Sequence, residues 1–303
     1  MQFSEENMEN VSSKKHTAAI IALTVTAVIW GGGFVACKMG LEGFSPFVIL
    51  AYRFLFAAVG LGIIFFRKAI KAPRKTVLSG CLLGFTNMLA LAIQLIGLEF
   101  TTSAKQSFLC PAYVALVPFA AWVISKKRPS LKAVIAGLTA LTGIGFITLR
   151  GDLSVNIGDI ITLGFPVVFS FHIVLISKFV TTDTDPLQMS FFQFFTAGFI
   201  ALIISVIRGD SFFATNLEAW TGAAYLGLLN TLVAFTVQNV AQRYVSGPLS
   251  ALILGTESVF GFVFSVLYYH EPLTWQILVG AALCFAAILI STVHKKHPEI
   301  KQL

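Results

Sequence analysis

The sequence predicts an all-α polytopic membrane protein of ten transmembrane helices, arranged as two inverted five-helix repeats. Three observations carry that reading: the apolar content, ten apolar runs of bilayer-crossing length, and the one-sided placement of lysine and arginine. Hydrophobic residues make up 56% of the 303 and charged residues only 12%, with mean hydropathy +0.84. So much apolar surface cannot be enclosed in one water-soluble core. The net charge of +7 would point to nucleic acid in a soluble chain. Here its distribution reads as membrane topology, and no nucleic-acid partner is expected.

Residues 1–15 are polar and offer too little apolar surface to offset ordering, so a disordered cytoplasmic N-terminus is expected. The apolar run from Ala18, preceded by Lys14 and Lys15, reads as an uncleaved first helix. Phe34 stands three residues before Cys37, which suits a lipoprotein cleavage box poorly, and nine further spans follow. The first five spans are placed at about 18–37, 47–66, 77–97, 102–124 and 132–149, the second five at about 157–177, 187–207, 220–241, 248–269 and 275–293. Runs of about 20 residues cross about 30 Å of hydrocarbon at a rise of about 1.5 Å per residue. With the N-terminus inside, only Lys38, Lys105, Arg150 and Arg208 fall outside and Arg53 within a span; the other 16 of the 21 basic residues are cytoplasmic. That asymmetry places both termini, including the tail 295–303, in the cytoplasm of a multi-pass cell-membrane protein.

Five spans per half is an odd number, so repeats at 16–150 and 151–294 must be inverted relative to one another. An offset of 143 residues aligns SKKRPSLKAVIAG, ending at Gly137, with YYHEPLTWQILVG, ending at Gly280. It also pairs Ser103 with Ser246, Ser107 with Ser250 and Pro129 with Pro272. Inverted repeats are the usual plan of secondary transporters, with binding near the midplane where the repeats meet.

Several short motifs stand in order along these spans. The first half holds Trp30-Gly31 followed by Phe34, then Ser45-Pro46, Arg53-Phe54, Thr102-Ser103-Ala104 and the turn Lys127 to Leu131. In the second half come Gly158-Asp159-Ile160, Gln238, Ala241 to Tyr244, Glu257 and the turn His270 to Thr274. In this order and spacing the chain resembles the EamA-type branch of the drug/metabolite transporter superfamily over about residues 18–293. Two departures are visible: Ser258 follows Glu257 where the family often has proline, and Lys127-Arg128 replaces a common Gly-Glu-Arg. The resemblance implies a central cavity lined mainly by spans 1, 3, 4, 6, 8 and 9. It also implies alternating-access movement of small metabolites or drugs, often outward.

Glu257 lies about 14 Å into span 9. A lone ionised carboxylate at that depth costs a few kcal/mol, which a role in proton coupling or a set of hydrogen bonds must offset. Neighbouring hydroxyls on Thr256 or Ser258, or an ion pair with Arg53, are the structural alternatives. Arg53, about 9 Å from the outer end of span 2, either binds a substrate carboxylate through its planar donors or serves as an internal tie. His172, about 8 Å from the cytoplasmic end of span 6, is a candidate proton relay or a packing residue.

Gln94, Gln106, Gln193, Asn230, Gln238, Asn239 and Gln242 are amides that must face the bundle interior, as glue or as substrate contacts. Gln94 and Asn230 have the depth for a cavity. Trp30, Phe34, Tyr113 and Phe171 are the aromatic candidates for its wall. The cysteines Cys37, Cys81, Cys110 and Cys284 read as small packing residues, and Trp220 and Trp275 as interfacial anchors.

No Walker A loop, HExxH motif or GxSxG elbow is present and the five histidines form no membrane pair, so no enzyme activity, metal or cofactor is expected. The expected function is export of small organic solutes, amino-acid-like or drug-like, by alternating access with proton antiport through Glu257. Its expected partners are the solute, protons and the lipid bilayer, as a monomer or homodimer. An importer or exchanger of a cofactor or amino acid, and a non-transporting receptor or scaffold, are the alternatives.

Overall fold

In lipid, a long apolar run can satisfy its backbone groups only by forming a helix. The computed structural model describes residues 2–69, 71–126, 128–148, 156–180, 184–270 and 274–292, and all of its regular elements are helical. In chain order these are α1 (Gln2–Leu41), α2 (Pro46–Ala69), α3 (Arg74–Leu98), α4 (Ser103–Leu109), α5 (Tyr113–Ser125), α6 (Leu131–Thr148) and α7 (Ile157–Thr162). They continue with α8 (Gly164–Phe179), α9 (Pro186–Arg208), α10 (Leu217–Tyr225), α11 (Ala234–Ala241), α12 (Gly247–Leu254), α13 (Glu257–Tyr269) and α14 (Trp275–Thr292).

Eight segments among the described residues are long and apolar enough to cross a membrane, from Lys14–Leu41 to Gly247–Tyr269. The expected ten is therefore reached only in part. Spans 5 and 10 are present as α6 and α14, 18 residues each, whose described apolar stretches are Val134–Gly143 and Leu278–Ala287. These two helices pack against each other, with Ala140 and Ala287 buried together with Ala115 of α5.

In the segment 1–15, expected to be disordered, α1 is drawn back to Gln2. Adding residues to a helix already nucleated in the membrane gains one hydrogen bond each without a new nucleation cost, and no proline or glycine intervenes before Gly31. The tail 295–303 and the turn residues Glu271, Pro272 and Leu273 lie outside the described residues, as do Lys127 and Arg150.

Four spanning segments are interrupted. Ser103–Ile124 is α4, a 3-10 turn at Cys110–Ala112 and α5; Pro111 there has no N–H to continue an α ladder. Ile157–Phe179 steps at Leu163 between α7 and α8. Leu217–Ala241 widens into a π-helix over Leu226–Val233, and Gly247–Tyr269 breaks at Gly255 and Thr256.

Helix starts follow the local sequence. Thr102 accepts from the Lys105 N–H at 3.3 Å, which assigns the Thr-Ser-Ala motif to an N-cap. Asn156, Asp185 and Asn216 cap α7, α9 and α10 in the same way. Close packing centres on α2 and α3 against α9, on α1 against α10, α11 and α13, and on α8 against α3 and α5.

Candidate functional site

The interruptions border one narrow, partly open cavity. About 380 Å³ of non-atom space, open solvent included, lies among α1, α2, α3, α8, α11 and α13, with the 3-10 turn and the π-helix completing its wall. Aromatic rings make up much of that wall. Trp30 packs on Phe169 and Phe235 with ring centroids 5.8 and 4.8 Å apart, and Phe165 stacks on Phe169 at 4.9 Å. Phe34, Leu91, Cys37 and Cys110 fill the gaps between them.

Polar groups enter this wall at four places. Arg53 of α2 is 1% exposed and donates from Nε to Thr231 Oγ1 at 2.9 Å and from Nη2 to Asn230 Oδ1 at 2.7 Å. Asn230 is itself fixed, accepting at its carbonyl oxygen from Trp30 Nε1 at 3.1 Å and donating from Nδ2 to the Ile29 carbonyl at 3.3 Å. The π-helix is the reason that carbonyl is on offer. Widening to an i+5 pattern frees backbone acceptors that a regular α ladder would use, and such turns recur at functional sites. Gly33 leaves the room this network needs, since a Cβ there would sit 2.2 Å from Asn230 Nδ2.

Glu257 is the second charged group on the cavity. It opens α13 directly after the break at Gly255 and Thr256, where the Thr256, Ser258 and Val259 N–H groups turn to carbonyls three residues back, at 3.2, 3.3 and 3.1 Å. Its one hydrogen-bond donor among the described residues is the Tyr113 hydroxyl, at 3.2 Å from Oε1. The neighbouring hydroxyls expected to hold it do not. Thr256 and Ser258 each return to backbone carbonyls, those of Ile253 and Gly255. Arg53 does not hold it either: the ion pairs given for the described residues are Lys105–Asp159 and Arg208–Asp210.

Of the residues singled out from sequence, Trp30, Phe34, Arg53, Gln94, Asn230 and Glu257 line this space. Tyr113 stands one step behind, orienting Glu257. His172 is fully buried outside the cavity, bonded through Nδ1 to Thr86 Oγ1 at 2.9 Å and stacked on Phe169 with ring centroids 5.4 Å apart. Phe171 packs on the periphery of the core, away from the cavity wall. Residues two apart on a helix point about 200° apart, so the aromatic position that serves the cavity is Phe169.

Phe165, Phe169 and Phe235 were missed. The signal for the first two was the i, i+4 spacing on α8. Span 2 also joins the wall through Arg53, beyond the spans expected from the resemblance. Among the described residues no three of His, Cys, Asp and Glu converge as a metal site.

The comparisons with known proteins agree with this architecture. The profile of the EamA-like transporter family matches residues 17–149 and again 156–293. A protein of Archaeoglobus fulgidus named as an uncharacterized transporter is 30% identical over 276 residues, covering 91% of this chain and 86% of the relative. The uncharacterized inner membrane transporter YedA of Escherichia coli K12 is 26% identical over 258 residues, 78% of this chain and 81% of its own. A solved crystal structure, 14% identical, superposes with a TM-score of 0.69 over 91% of this chain and 97% of that one, a likeness of fold. With both halves matched by one transporter profile and its membrane-length helices closing on a polar cavity, the chain belongs to the EamA-like transporter family.

Proposed function

We propose that this membrane transporter exports small zwitterionic, amino-acid-like solutes by alternating access, in exchange for protons taken up at Glu257. Its two halves, 16–150 and 151–294, act as inverted five-helix repeats that rock about the cavity, with both termini cytoplasmic in the cell membrane. The observation that carries this reading is a buried guanidinium and a buried carboxylate on the wall of one aromatic cavity with no ion pair between them. Neutral ties to Thr231 and Asn230 hold Arg53 in place but leave its charge unmatched. A solute carboxylate matches it with planar, charge-assisted bonds. Glu257 does the same for an ammonium group, and the rings take up the apolar remainder.

Antiport follows from sharing. A proton and a solute ammonium compete for the same carboxylate, so each crosses when the other is absent. His172, outside the cavity wall, has no part in this exchange.

Flux in proteoliposomes tests the proposal, using aromatic and aliphatic amino acids beside their amides, which lack the carboxylate, and their N-acetyl forms, which lack the ammonium. Zwitterions should accumulate with an imposed pH gradient and both blocked forms should move at least about tenfold more slowly. A charged buried hydrogen bond of roughly 1.5–3 kcal/mol sets that factor. Glu257→Gln keeps an acceptor for Tyr113 but loses the charge that meets the solute ammonium, and should lose gradient-driven accumulation while solute exchange slows at least about tenfold. Full gradient-driven transport by that variant would remove the coupling, and equal flux of blocked and free amino acids would remove the zwitterion site.

A further inference from the structure

The cavity ends in an aromatic partition, and beyond it lies a second set of polar groups with nothing to bind. Phe169 and Phe235 face each other with centroids 6.4 Å apart, and His172 stands 5.4 and 6.4 Å from these two rings. Past them Asn87 has neither side-chain atom hydrogen-bonded, and neither has Gln238. His172 Nε2, Gln193 Nε2 and Asn239 Oδ1 are likewise unpartnered, and all five residues are 0% exposed. The neighbouring partners are used up elsewhere: Asn239 Nδ2 donates to Ser190 Oγ and Gln193 Oε1, each at 2.8 Å.

The register shows that these groups continue the cavity wall. On α3, Asn87, Leu91 and Gln94 stand at i, i+4 and i+7, and the last two line the cavity. On α8 the same spacing joins Phe165, Phe169 and His172. On α11, Gln238 and Asn239 follow Phe235 by three and four residues. Every stripe runs toward the end of the bundle that carries Arg74, Lys178 and Arg243.

The opposite end is built differently. There Lys105 pairs with Asp159 at 2.8 Å, Ser45 with Asp210 at 2.7 Å, and Gln106 Nε2 with the Gln94 carbonyl at 2.7 Å. Among the described buried amide atoms at that end, only Gln106 Oε1 is unpartnered.

We propose that Asn87, His172, Gln193 and Gln238 form a second solute station between the cavity and the basic end of the bundle, closed in this conformation. It takes water and the hydrogen-bonding groups of a passing solute. Amides offer both donors and acceptors and carry no charge, so a zwitterion crosses without either of its charges being trapped. Polar atoms buried without protein partners are costly unless water or a solute bonds them, and both gain access when the helices part. The seam that parts is α3 against α9. Gly80 and Gly84 bring the two backbones so close that a Cβ would lie 2.7 Å from the Met189 carbonyl oxygen and 2.5 Å from that of Gln193.

The proposal rests on the reading of the cavity as the transported solute's site, and its test is chosen to separate the two. Asn87→Cys and Gln238→Cys, in a chain whose native cysteines are alanine, are exposed in oriented vesicles to a membrane-impermeant cationic methanethiosulfonate. Ala201→Cys, a fully buried apolar position on α9 toward the opposite end of the bundle, is the control. Modification from the lysine- and arginine-rich face should be at least about tenfold faster than from the other face and than the control. Rates no greater than the control from either face would overturn the station, as would faster entry from the opposite face. No transported solute is needed, so failure of the flux assay leaves this result decisive. Asn87→Leu and Gln238→Leu give a second measurement: unfolding temperature equal or higher, with flux of the amino-acid panel reduced at least about tenfold. Unchanged flux in stable leucine variants would assign the amides to packing alone and overturn the proposal.

Discussion

At the scale of single residues, the protein separates polar groups that tie helices from polar groups left open to the cavity. Asp159 belongs to the first kind. It is fully buried, receives Lys105 Nζ at 2.8 Å and is also the acceptor of the Thr101 hydroxyl. The Gly-Asp-Ile motif thus has a structural role: Gly158 lets α7 approach Phe100 and the Gly97 carbonyl, and Asp159 locks the contact. Asp159→Asn leaves the Lys105 charge uncompensated in a site where its side chain is only 14% exposed. The variant should lose about 3–5 kcal/mol of stability, and adding Lys105→Met should restore at least half of it. Thermal unfolding of both variants in one detergent checks this. Arg53 and Glu257 belong to the second kind, and the sequence singled both out because charge inside a span is conspicuous. Asn87 was passed over, although its i, i+7 spacing to Gln94 was readable.

Among the elements, departures from regular α-helix place the site. The π-helix offers the Asn230 carbonyl to Trp30, the break at Gly255 and Thr256 sets Glu257 at a helix start, and the 3-10 turn brings Cys110 to the wall. Glycine does the complementary work where helices must nearly touch. Gly84→Ala would drive a methyl group to 2.5 Å from the Gln193 carbonyl oxygen, backbone that cannot yield cheaply. It should destabilise by about 1–3 kcal/mol. Gly137→Ala meets nothing closer than 3.6 Å and should be neutral or stabilising by up to about 1 kcal/mol. Melting the two variants side by side distinguishes close packing from helix propensity.

For the whole molecule, the helix contacts repeat when the halves are exchanged. α2 meets α9 and α6 meets α14; α1 against α13 is answered by α8 against α5, and α1 against α11 by α8 against α3. Lys126 and His270, which end α5 and α13, are the two non-glycine residues with left-handed backbone among those described, at φ 58° and 51°. These correspondences support the inverted-repeat proposal, which requires α6 and α14 to cross the membrane. Alkaline phosphatase fused after residue 150 should then be active outside the cell, and inactive when fused after residue 126. Inactivity at both positions would leave α6 on one side of the membrane and reduce the count to eight.

Hydrophobic run length, Lys and Arg placement and motif order together determined the helical membrane class and the family, because burial in lipid forces each apolar segment into a helix whatever its neighbours. Depth alone marked Glu257, Arg53, Gln94 and Asn230, since any polar atom far from water must face protein. Which groups meet was decided only by tertiary structure. Tyr113 and Glu257 are 144 residues apart and Arg53 and Asn230 177 apart, on helices whose rotation depends on packing against several neighbours at once. The same dependence placed Phe169 instead of Phe171 on the cavity and His172 behind it, because two residues of register reverse a helical side chain.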